Sequence, residues 1–440
     1  MLYEATGYDP TTWPDSYWRA SSPSLPEFPS LDGQTRADVA IVGAGYAGLN
    51  AALELVENHS ANVVMLEAAQ PGWGASGRNG GFCCLGGARL DAGQITRRMG
   101  RDAAQDWDRF EHSAIARVQD NLARYQIDAQ TTEPGEMLLA ASPRAWARMR
   151  TEPLPQGGAL LDRDDLRAQG LHTGTYLGGR YVPQGFGLHP YAYITGLARA
   201  AQQAGVRLHG ESRVTQIAPH PDGWRLSTAT GSVVARQVLI ASNGYSDERL
   251  VPWLARRILP AISNILVTRP LTQAELQAQG WTRHLMAYDD RILLHYFRLL
   301  PDNRLMFGAR GGLSFEPASV ARFGQRARAE FDLIFPQFRQ AETAFGWNGL
   351  VCLTASRAPY IGPVPGAEGL WLALGWHGNG VAAASEGGRC AARTIMGDAG
   401  APPALVRRPP PRFVAPRRWV LAAGMAIAGL VDGPMRARRN

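Results

Sequence analysis

The sequence predicts an α/β fold in which a parallel sheet flanked by helices is combined with a second, mixed β-sheet. Three observations predict it. Residues 37–69 read as a buried strand, a glycine turn, an amphipathic helix and a second buried strand. Residues 256–313 alternate strand-like runs with loops, and residues 369–397 read as a strand, a glycine turn and a helix.

The composition is that of a globular protein with a sizeable core. The chain has 440 residues, of which 45% are apolar and 19% charged, and this allows two domains. Its four cysteines (Cys83, Cys84, Cys352 and Cys390) are too few for a disulfide framework and lack the spacing of zinc ligands. We therefore expect no metal site and a reducing compartment, the cytoplasm. The opening segment MLYEATGYDP has no signal-peptide pattern.

Positive charge is concentrated in the tail. All 45 basic residues are arginine, which excludes lysine Schiff-base chemistry for this chain and is typical of a GC-rich bacterial source. Residues 401–440 contain eight arginines and one acid, Asp432, and so carry the whole net charge of +7. Residues 1–400 are formally neutral, and we expect no nucleic-acid partner.

The remaining elements follow from hydrophobic periodicity. Residues 104–125 have the apolar spacing of a long amphipathic helix, and residues 189–210 that of a helix followed by a strand. Further strands are predicted at 135–142, 212–219, 223–230, 237–245, 263–271, 291–300 and 304–311, and a further helix at 316–334.

The first glycine turn has the pattern of a dinucleotide-binding site. Gly43, Gly45 and Gly48 form GxGxxG between the first strand and its helix. The first glycine permits a tight turn, the second a close approach to a pyrophosphate, and the third the packing of helix on strand. The start of the helix offers N–H groups to phosphates. Glu67 ends the second strand, where a carboxylate accepts hydrogen bonds from ribose hydroxyls.

A second glycine-rich stretch, PGWGASGRNGG, follows that strand at once. Glycine clusters are commonly flexible surface loops. However, Trp73, Arg78 and Asn79 are not typical of linkers. An NAD-binding domain normally continues with regular βα units, so this loop favours a flat, bulky ligand instead.

Together with later motifs, these stretches resemble the D-amino-acid-oxidase-type FAD-dependent oxidoreductases, and within them the γ-glutamylputrescine oxidoreductase branch. The blocks that carry the resemblance span nearly the whole chain: ADVAIVGAGYAGLNAALEL, GWGASGRNGG, HPYAYITGLARAAQQAGV, VLIASNGY, LHYFRLLPDNRLMFGAR, TASRAPYIGPVPG and GLWLALGWHGNGV. The resemblance implies a glutathione-reductase-type, Rossmann-like FAD-binding domain with an inserted mixed β-sheet substrate domain. It also implies non-covalent FAD, with the second glycine stretch beside the isoalloxazine ring.

The resemblance implies the following division of the chain. Residues 1–36 form an N-terminal arm, residues 37–105, 187–255 and 345–400 the FAD-binding domain, residues 106–186 and 256–344 the substrate domain, and residues 401–440 a Pro/Arg-rich arm with an apolar C-terminal helix.

The family's cofactor contacts carry over onto matching positions. Val214 is expected to contact the adenine through its backbone, and the last helix is expected to direct its N-terminus at the pyrimidine end of the flavin, where reduced flavin is negative. The expected FAD-binding residues are Gly43, Gly45, Tyr46, Ala47, Gly48, Glu67, Ala68, Gly74, Ala75, Ser76, Arg78, Asn79, Gly80, Gly81, Val214, Ser242, Asn243, Gly244, Arg357, Gly375, Gly378, Asn379, Gly380 and Val381.

The implied reaction is oxidation of a C–N bond in an amine or amino acid, including a γ-glutamylated polyamine. A hydride passes from the carbon next to the amine to flavin N5, and the imine hydrolyses. Position, an uncharged amine and a water-poor site suffice for this chemistry. Some relatives activate oxygen with a lysine, which this chain lacks. Another cation replaces it, or the electrons pass to an acceptor other than oxygen.

Three residues are candidates for the substrate side. Strand alternation in LLHYFRLL places Tyr296 and Arg298 on one face, Tyr296 toward the flavin and Arg298 toward a substrate carboxylate. A core tyrosine and a solvated arginine are the alternatives. His377 is a candidate hydrogen-bonding residue, although the branch's usual histidine stands two positions away, and a loop histidine without a role is the alternative.

For several further residues the sequence allows two interpretations. Arg357 stands where the family often has a charged residue near the flavin, or forms a structural ion pair. Cys352 precedes TASRAPYIG, near the position where sarcosine-oxidase-like relatives attach FAD to cysteine, but the offset differs and buried packing is favoured. Packing is likewise favoured over redox activity for Cys83 and Cys84.

The apolar tail segment WVLAAGMAIAGLV, residues 419–431, is too short to cross a bilayer. Arginines bracket it, as in helices that lie on anionic membranes. Packing on the protein or on a partner subunit is the favoured interpretation. The sequence does not predict the oligomeric state.

Two other functions fit parts of the sequence. An NAD(P)-dependent Rossmann dehydrogenase would use the first glycine turn but leaves GRNGG and GWHGNGV without a role. A non-catalytic flavin-binding subunit of a larger dehydrogenase would hold FAD that no amine reduces.

Overall fold

The computed structural model describes residues 2–23, 27–398 and 402–433. The helices are α1 (Tyr17–Ala20), α2 (Tyr46–His59), α3 (Ala92–Met99), α4 (Arg101–Arg124), α5 (Pro143–Met149), α6 (Arg163–Ala168), α7 (Pro190–Gln203), α8 (Gln273–Gln279), α9 (Pro317–Ile334), α10 (Gly380–Met396) and α11 (Arg417–Asp432). The strands are β1 (Gly33–Val42), β2 (Val63–Leu66), β3 (Phe82–Cys83), β4 (Pro134–Leu139), β5 (Ala159–Asp162), β6 (Gly178–Gly187), β7 (Arg207–His209), β8 (Gln216–His220), β9 (Gly223–Ser227), β10 (Gly231–Ile240), β11 (Ile258–Thr268), β12 (Met286–Asp289), β13 (His295–Leu299), β14 (Leu305–Arg310), β15 (Thr343–Thr354), β16 (Tyr360–Val364) and β17 (Ala367–Leu374).

The first sheet has the order β16-β17-β10-β1-β2-β7 and is extended by the hairpin β8–β9, which pairs with β10. Strands β17, β10, β1, β2 and β7 are parallel. All four residues of β2 are buried, as in a parallel strand covered on both faces. The predicted βαβ unit is therefore confirmed, and the carboxyl ends of its strands meet at one edge.

Gly48 allows α2 to cross the turn that follows β1. A Cβ atom on Gly48 would lie 2.0 Å from the carbonyl oxygen of Gly43. Gly43 itself has a φ of +103°, which side chains rarely adopt. These two glycines are needed for the backbone of the turn.

The second sheet is mixed, with the order β15-β11-β14-β13-β12-β4-β6-β3 and with β5 paired to β6. Its pairs are antiparallel except β12 with β4. On β13, Phe297 packs in an apolar cluster with residues of α9, whereas Tyr296 lines a cavity on the opposite face. The predicted alternation along this strand is correct.

Two elements near the predicted domain boundaries contact the other predicted domain. Strand β15 pairs with β11 from Thr343 to Thr354, so residues after 345 continue the second sheet instead of joining the first. Helix α4 packs against α10, although most of α4 lies in the predicted substrate domain. Its apolar side, including Trp107, belongs to the core cluster around α2 and α10. The division into two domains and its boundaries stay a prediction.

The tail helix α11 packs on the protein through one side. Arg417 donates a hydrogen bond to the carbonyl of Ile258 at 2.9 Å, and the Asp432 carboxylate accepts from the backbone N–H of Ile292 at 3.0 Å. The opposite side is exposed, Trp419 by 71%. Across the described ranges, no helix is both long and apolar enough to span a membrane.

Candidate active site

A long cavity runs along the carboxyl edge of the first sheet and reaches the second sheet. Both glycine-rich stretches line it, as do the turn after β10, the start of α10 and residues of β13 and β14. The predicted cofactor-binding residues that line it are Gly43, Gly45, Tyr46, Ala47, Glu67, Ala68, Gly74, Ala75, Ser76, Arg78, Asn79, Gly80, Val214, Ser242, Asn243, Gly378, Asn379, Gly380 and Val381.

At one end, the two glycine stretches are joined by hydrogen bonds. Gly45 is the N-cap of α2 and supplies no side-chain cap. Ser76 of the second stretch accepts from the backbone N–H of Tyr46 at 3.1 Å, and the Tyr46 hydroxyl donates to the carbonyl of Ser76 at 2.8 Å. Glu67 accepts from the N–H of Ala44 at 2.8 Å, and burial raises the pKa of Glu67. The turn and the acid are thus placed as a dinucleotide requires.

The second stretch is a buried, ordered loop. The Asn79 amide donates to the carbonyls of Ala75 and Ser76, and its oxygen accepts from the N–H of Gly81. Arg78 is 8% exposed, donates to the carbonyl of Trp73 at 2.5 Å and lies 4.6 Å from the centre of the Trp73 ring. The polar residues hold the glycines in one conformation, so the alternative of a flexible surface loop is wrong.

The start of α10 brings His377 to the other end of the cavity. Its Nε2 lies 3.1 Å from the Thr354 hydroxyl, which donates to the carbonyl of Ala358. His377 therefore carries its proton on Nε2, and its buried Nδ1 has no hydrogen-bond partner within the described residues. Burial, then Arg89 and Arg310, lower the pKa of His377 to about 3, so the ring is neutral.

Tyr296 lines the cavity as predicted, and its hydroxyl lies 3.0 Å from that of Ser263. Arg310 and Arg89 enter the same region. Arg310 was not among the site residues predicted from the sequence. The signal was available, because Tyr296 pairs with Gly308 and strand alternation puts Arg310 on the same face.

Arg298 does not reach the cavity, and its predicted contact with a substrate carboxylate is wrong. Its Nε donates to the carbonyl of Gly80 at 3.0 Å and Nη2 to that of Leu188 at 2.6 Å. Its guanidinium carbon lies 5.4 Å from the centre of the Trp18 ring. The residue is on the predicted face of β13, but the glycine loop covers it.

Arg357 is also outside the cavity, where it donates to the side-chain oxygen of Gln94 at 3.2 Å. This corrects its prediction as a cofactor contact. Four further glycines predicted to touch the cofactor do not line the cavity and instead shape the backbone behind it: Gly48, Gly81, Gly244 and Gly375.

The four cysteines are free and buried. Cys84 and Cys352 line the cavity. Burial raises the pKa of the Cys352 thiol to about 12, and it also raises the pKa of Cys83 and Cys84. Neutral thiols are poor nucleophiles, which agrees with the packing role predicted for them.

The residues fit FAD better than a mononucleotide or NAD. One cavity joins a glycine turn with its acid to a second helix start, and α10, like α2, lacks a side-chain N-cap. Packing at the first helix start is tight, since a Cβ atom on Gly45 would lie 3.1 Å from the Ser76 hydroxyl and would need that side chain to shift. Two helix N-termini suit a ligand that has phosphates at one end and an electron-accepting ring at the other.

Comparison with known proteins identifies the family. The model of the family "DAO: FAD dependent oxidoreductase" matches residues 38–394. Gamma-glutamylputrescine oxidoreductase of Escherichia coli is 31% identical over 397 residues, 87% of this chain and 89% of that protein. The probable oxidoreductase OrdL of Haemophilus influenzae is 30% identical over 84% of this chain and 86% of its own length.

Solved structures show the same fold. The crystal structure of glycine oxidase from Geobacillus kaustophilus superposes with a TM-score of 0.67 and 23% identity, over 83% of this chain and 96% of that one. The resemblance and fold class expected from the sequence are therefore confirmed. The chain belongs to the DAO family of FAD-dependent oxidoreductases.

Proposed function

We propose that this enzyme oxidises the C–N bond of a small amine or amino acid with FAD, and that the resulting imine is hydrolysed. The observation that carries the proposal is the continuity of the cavity. It extends from the dinucleotide turn at Gly43 to a chamber walled by Tyr296, Tyr288 and Leu294. When bound, FAD supplies the hydride acceptor.

The chain's own residues bind and orient the cofactor. Backbone N–H groups at the start of α2 suit the pyrophosphate, and Glu67 suits a ribose. The start of α10 and the neutral His377 suit the flavin end of the cavity. Apolar and aromatic walls, including Phe82 and Leu294, exclude water from the reacting carbon.

The cavity also favours the uncharged form of the amine. Arg310 and Arg89 both enter it and remain charged at neutral pH. Positive groups nearby lower the pKa of a bound ammonium group, so the amine loses its proton to solvent before it loses a hydride. No side-chain base at the reacting carbon is required.

The electron acceptor is oxygen or another oxidant. The chain has no lysine, and among the arginines that line the cavity Arg310 and Arg89 lie near His377. The free cysteines support a reducing compartment, which we propose is the cytoplasm.

The alternative of an NAD(P)-dependent dehydrogenase is disfavoured. It gives no role to the loop of Gly74–Gly80 or to the start of α10, although both line the same cavity as the dinucleotide turn.

The visible spectrum of the purified protein tests the proposal. We expect flavin bands that bleach anaerobically with one class among amines, amino acids and a γ-glutamylated polyamine. Readmitted air then separates an oxidase, which recovers its colour, from a dehydrogenase. A yellow protein that no amine bleaches would favour a non-catalytic subunit, and a protein that FAD cannot turn yellow would refute the flavoenzyme.

A further inference from the structure

Residues 2–18, which we call the strap, connect the second sheet to the wall of the cofactor cavity. Near the start of the strap, the Tyr3 hydroxyl donates a hydrogen bond to the carbonyl of Pro260 in β11 at 2.9 Å. At its end, the Trp18 indole donates to the carbonyl of Asn79 at 2.8 Å. Because Asn79 belongs to the glycine loop that lines the cavity, the strap runs from the second sheet to that loop.

The middle of the strap forms part of the cavity wall. Tyr8 lines the cavity, and its ring lies 6.2 Å from the ring of Tyr245 at an angle of 83°. The ring of Tyr245 lies 5.2 Å from that of Trp73, edge to face. The Trp73 indole in turn donates to the carbonyl of Thr12 in the strap at 3.0 Å. Tyr245 and Trp73 both line the cavity, so FAD bound beside them is covered by the strap.

Side chains attach the strap to the rest of the protein. In the part of the chain that the structure describes, the backbone-to-backbone hydrogen bonds of residues 2–18 have both partners within residues 2–21. A β-strand must break a ladder of such bonds before it leaves its sheet. The strap has no ladder to break, and local opening is least costly for a segment that is held in this way.

Helix α11 holds the beginning of the strap in place. The Arg418 side chain donates from Nε to the carbonyl of Leu2 at 3.2 Å. Leu421 packs against the buried cluster that contains Tyr3 and Tyr8. Hydrogen bonds at both ends of α11 fix the helix to the protein. The inner side of α11 therefore presses on the part of the strap that leads to the cavity.

The strap and α11 together have the arrangement of a closed lid. A lid that must open before a ligand passes sets the rate at which that ligand is exchanged. We propose that α11 clamps the strap over the cofactor cavity, so that FAD enters and leaves only when the strap lifts from Tyr245 and Trp73. This clamp retains FAD without a covalent bond, and it operates whichever amine the enzyme oxidises.

A lid and a direct contact with FAD have different consequences for binding. A substitution that loosens a lid speeds entry and release together, so FAD exchanges faster while its dissociation constant stays nearly the same. Loss of a direct contact speeds release far more than entry, so the dissociation constant rises with the release rate.

Exchange of bound FAD measures opening of the lid without turnover. FAD-loaded enzyme is mixed with an excess of isotope-labelled FAD, and the label bound to the protein is followed over time. Equilibrium dialysis gives the dissociation constant. In Leu421→Asp, we expect exchange about 10-fold faster or more, because a carboxylate replaces an apolar side chain that packs on the strap. The dissociation constant should change by less than about 3-fold.

Tyr3→Phe provides a milder test of the same lid. It keeps the aromatic ring and removes the hydrogen bond to Pro260. We expect exchange about 3-fold faster or more, again with little change in the dissociation constant. Circular dichroism and FAD content show whether each variant is folded.

Trp419→Asp is the matched control. It introduces the same carboxylate into the same helix, but Trp419 is 71% exposed on the outer side of α11. Surface substitutions have small effects, so exchange should change by less than about 3-fold.

Faster exchange in Leu421→Asp at an unchanged dissociation constant supports the lid. Unchanged exchange in Leu421→Asp overturns it, and Tyr3→Phe decides in the same way if Leu421→Asp does not fold. A dissociation constant that rises in proportion to the exchange rate also overturns the lid and assigns the strap to direct binding of FAD. Equal acceleration by Trp419→Asp and Leu421→Asp overturns the role of the inner side of α11. Flavin that exchanges as expected but that no amine bleaches would refute the proposed function and leave the lid standing.

Discussion

The guanidinium group of Arg298 donates a hydrogen bond to the carbonyl of Gly80 at 3.0 Å, from the side of the glycine loop that is turned away from the cavity. The same side chain also holds Leu188. Arg298 therefore fixes the loop that borders the flavin end of the site. Its role is structural, whereas the sequence predicted a contact with a substrate carboxylate.

Replacement of Arg298 by Met should therefore lower the stability of the protein and its affinity for FAD. Two buried carbonyls lose a charged donor, so we expect a loss of about 2–4 kcal/mol in the free energy of unfolding, together with weaker FAD binding. Urea denaturation and FAD titration measure the two effects. A higher KM with unchanged stability and FAD affinity would instead return Arg298 to the substrate site.

Gly48→Ala should displace α2 from the dinucleotide turn. The added methyl group would lie 2.0 Å from the carbonyl oxygen of Gly43, which is backbone and cannot rotate away. We expect a loss of about 1–3 kcal/mol in stability and a clear loss of FAD affinity. Gly429→Ala is the matched control, since Gly429 is also within a helix but has open space around it. That variant should be as stable as the parent or slightly more so. Equal effects of the two substitutions would contradict the packing argument.

Glu136 should make stability depend on pH. Burial raises its pKa from 4.5 to about 7, although Cys84 and Tyr288 hydrogen-bond to it and act in the opposite direction. The folded state thus keeps a proton that the unfolded state has already lost, so this carboxyl costs stability progressively as pH rises from about 4.5 to about 7.

Glu136→Gln removes that cost. We expect the variant to exceed the parent by about 1–3 kcal/mol in free energy of unfolding near pH 8, with the difference shrinking toward pH 4.5. Urea denaturation of the FAD-saturated proteins at several pH values measures it. A difference that is the same at all pH values would show that titration of Glu136 is not the cause.

FAD should leave the denatured protein completely. Cys352 lines the cavity, but its buried thiol has a pKa raised to about 12 and little thiolate to attack a flavin. Acid precipitation followed by filtration should give a colourless pellet and a yellow filtrate. A yellow pellet that becomes colourless in Cys352→Ser would demonstrate a covalent bond to this residue.

The βαβ unit was predictable because its signals are local. GxGxxG, the apolar strand before it and Glu67 all follow from neighbours in sequence, and the alternation at Tyr296 follows from the period of a strand. In contrast, the segment that covers a given face of a strand comes from a distant part of the sequence. The loop at Gly80 covers Arg298 but leaves Arg310 open, and nothing near either residue in sequence distinguishes them.

The pairing of β15 with β11 was not predictable for a similar reason. Strand β15 has the same apolar pattern whether it pairs within the first sheet or with β11. Pairing partners in an antiparallel sheet depend on register across long separations, which periodicity does not encode. The cofactor contacts beyond the first turn came from the resemblance, and the cavity brings nearly all of them together.

The first sheet is assembled from three distant parts of the chain, since β1 pairs with β10 and β10 with β17. The start of α10 lines the cavity, so this wall of the cavity cannot form until the ribosome has synthesised α10. Until β17 is made, strand β10 lacks the parallel neighbour that pairs with Val238–Ile240. Contacts of long sequence separation fold slowly. During this period the newly synthesised chain cannot form the complete FAD-binding cavity. In the same period its apolar segments are most exposed to aggregation.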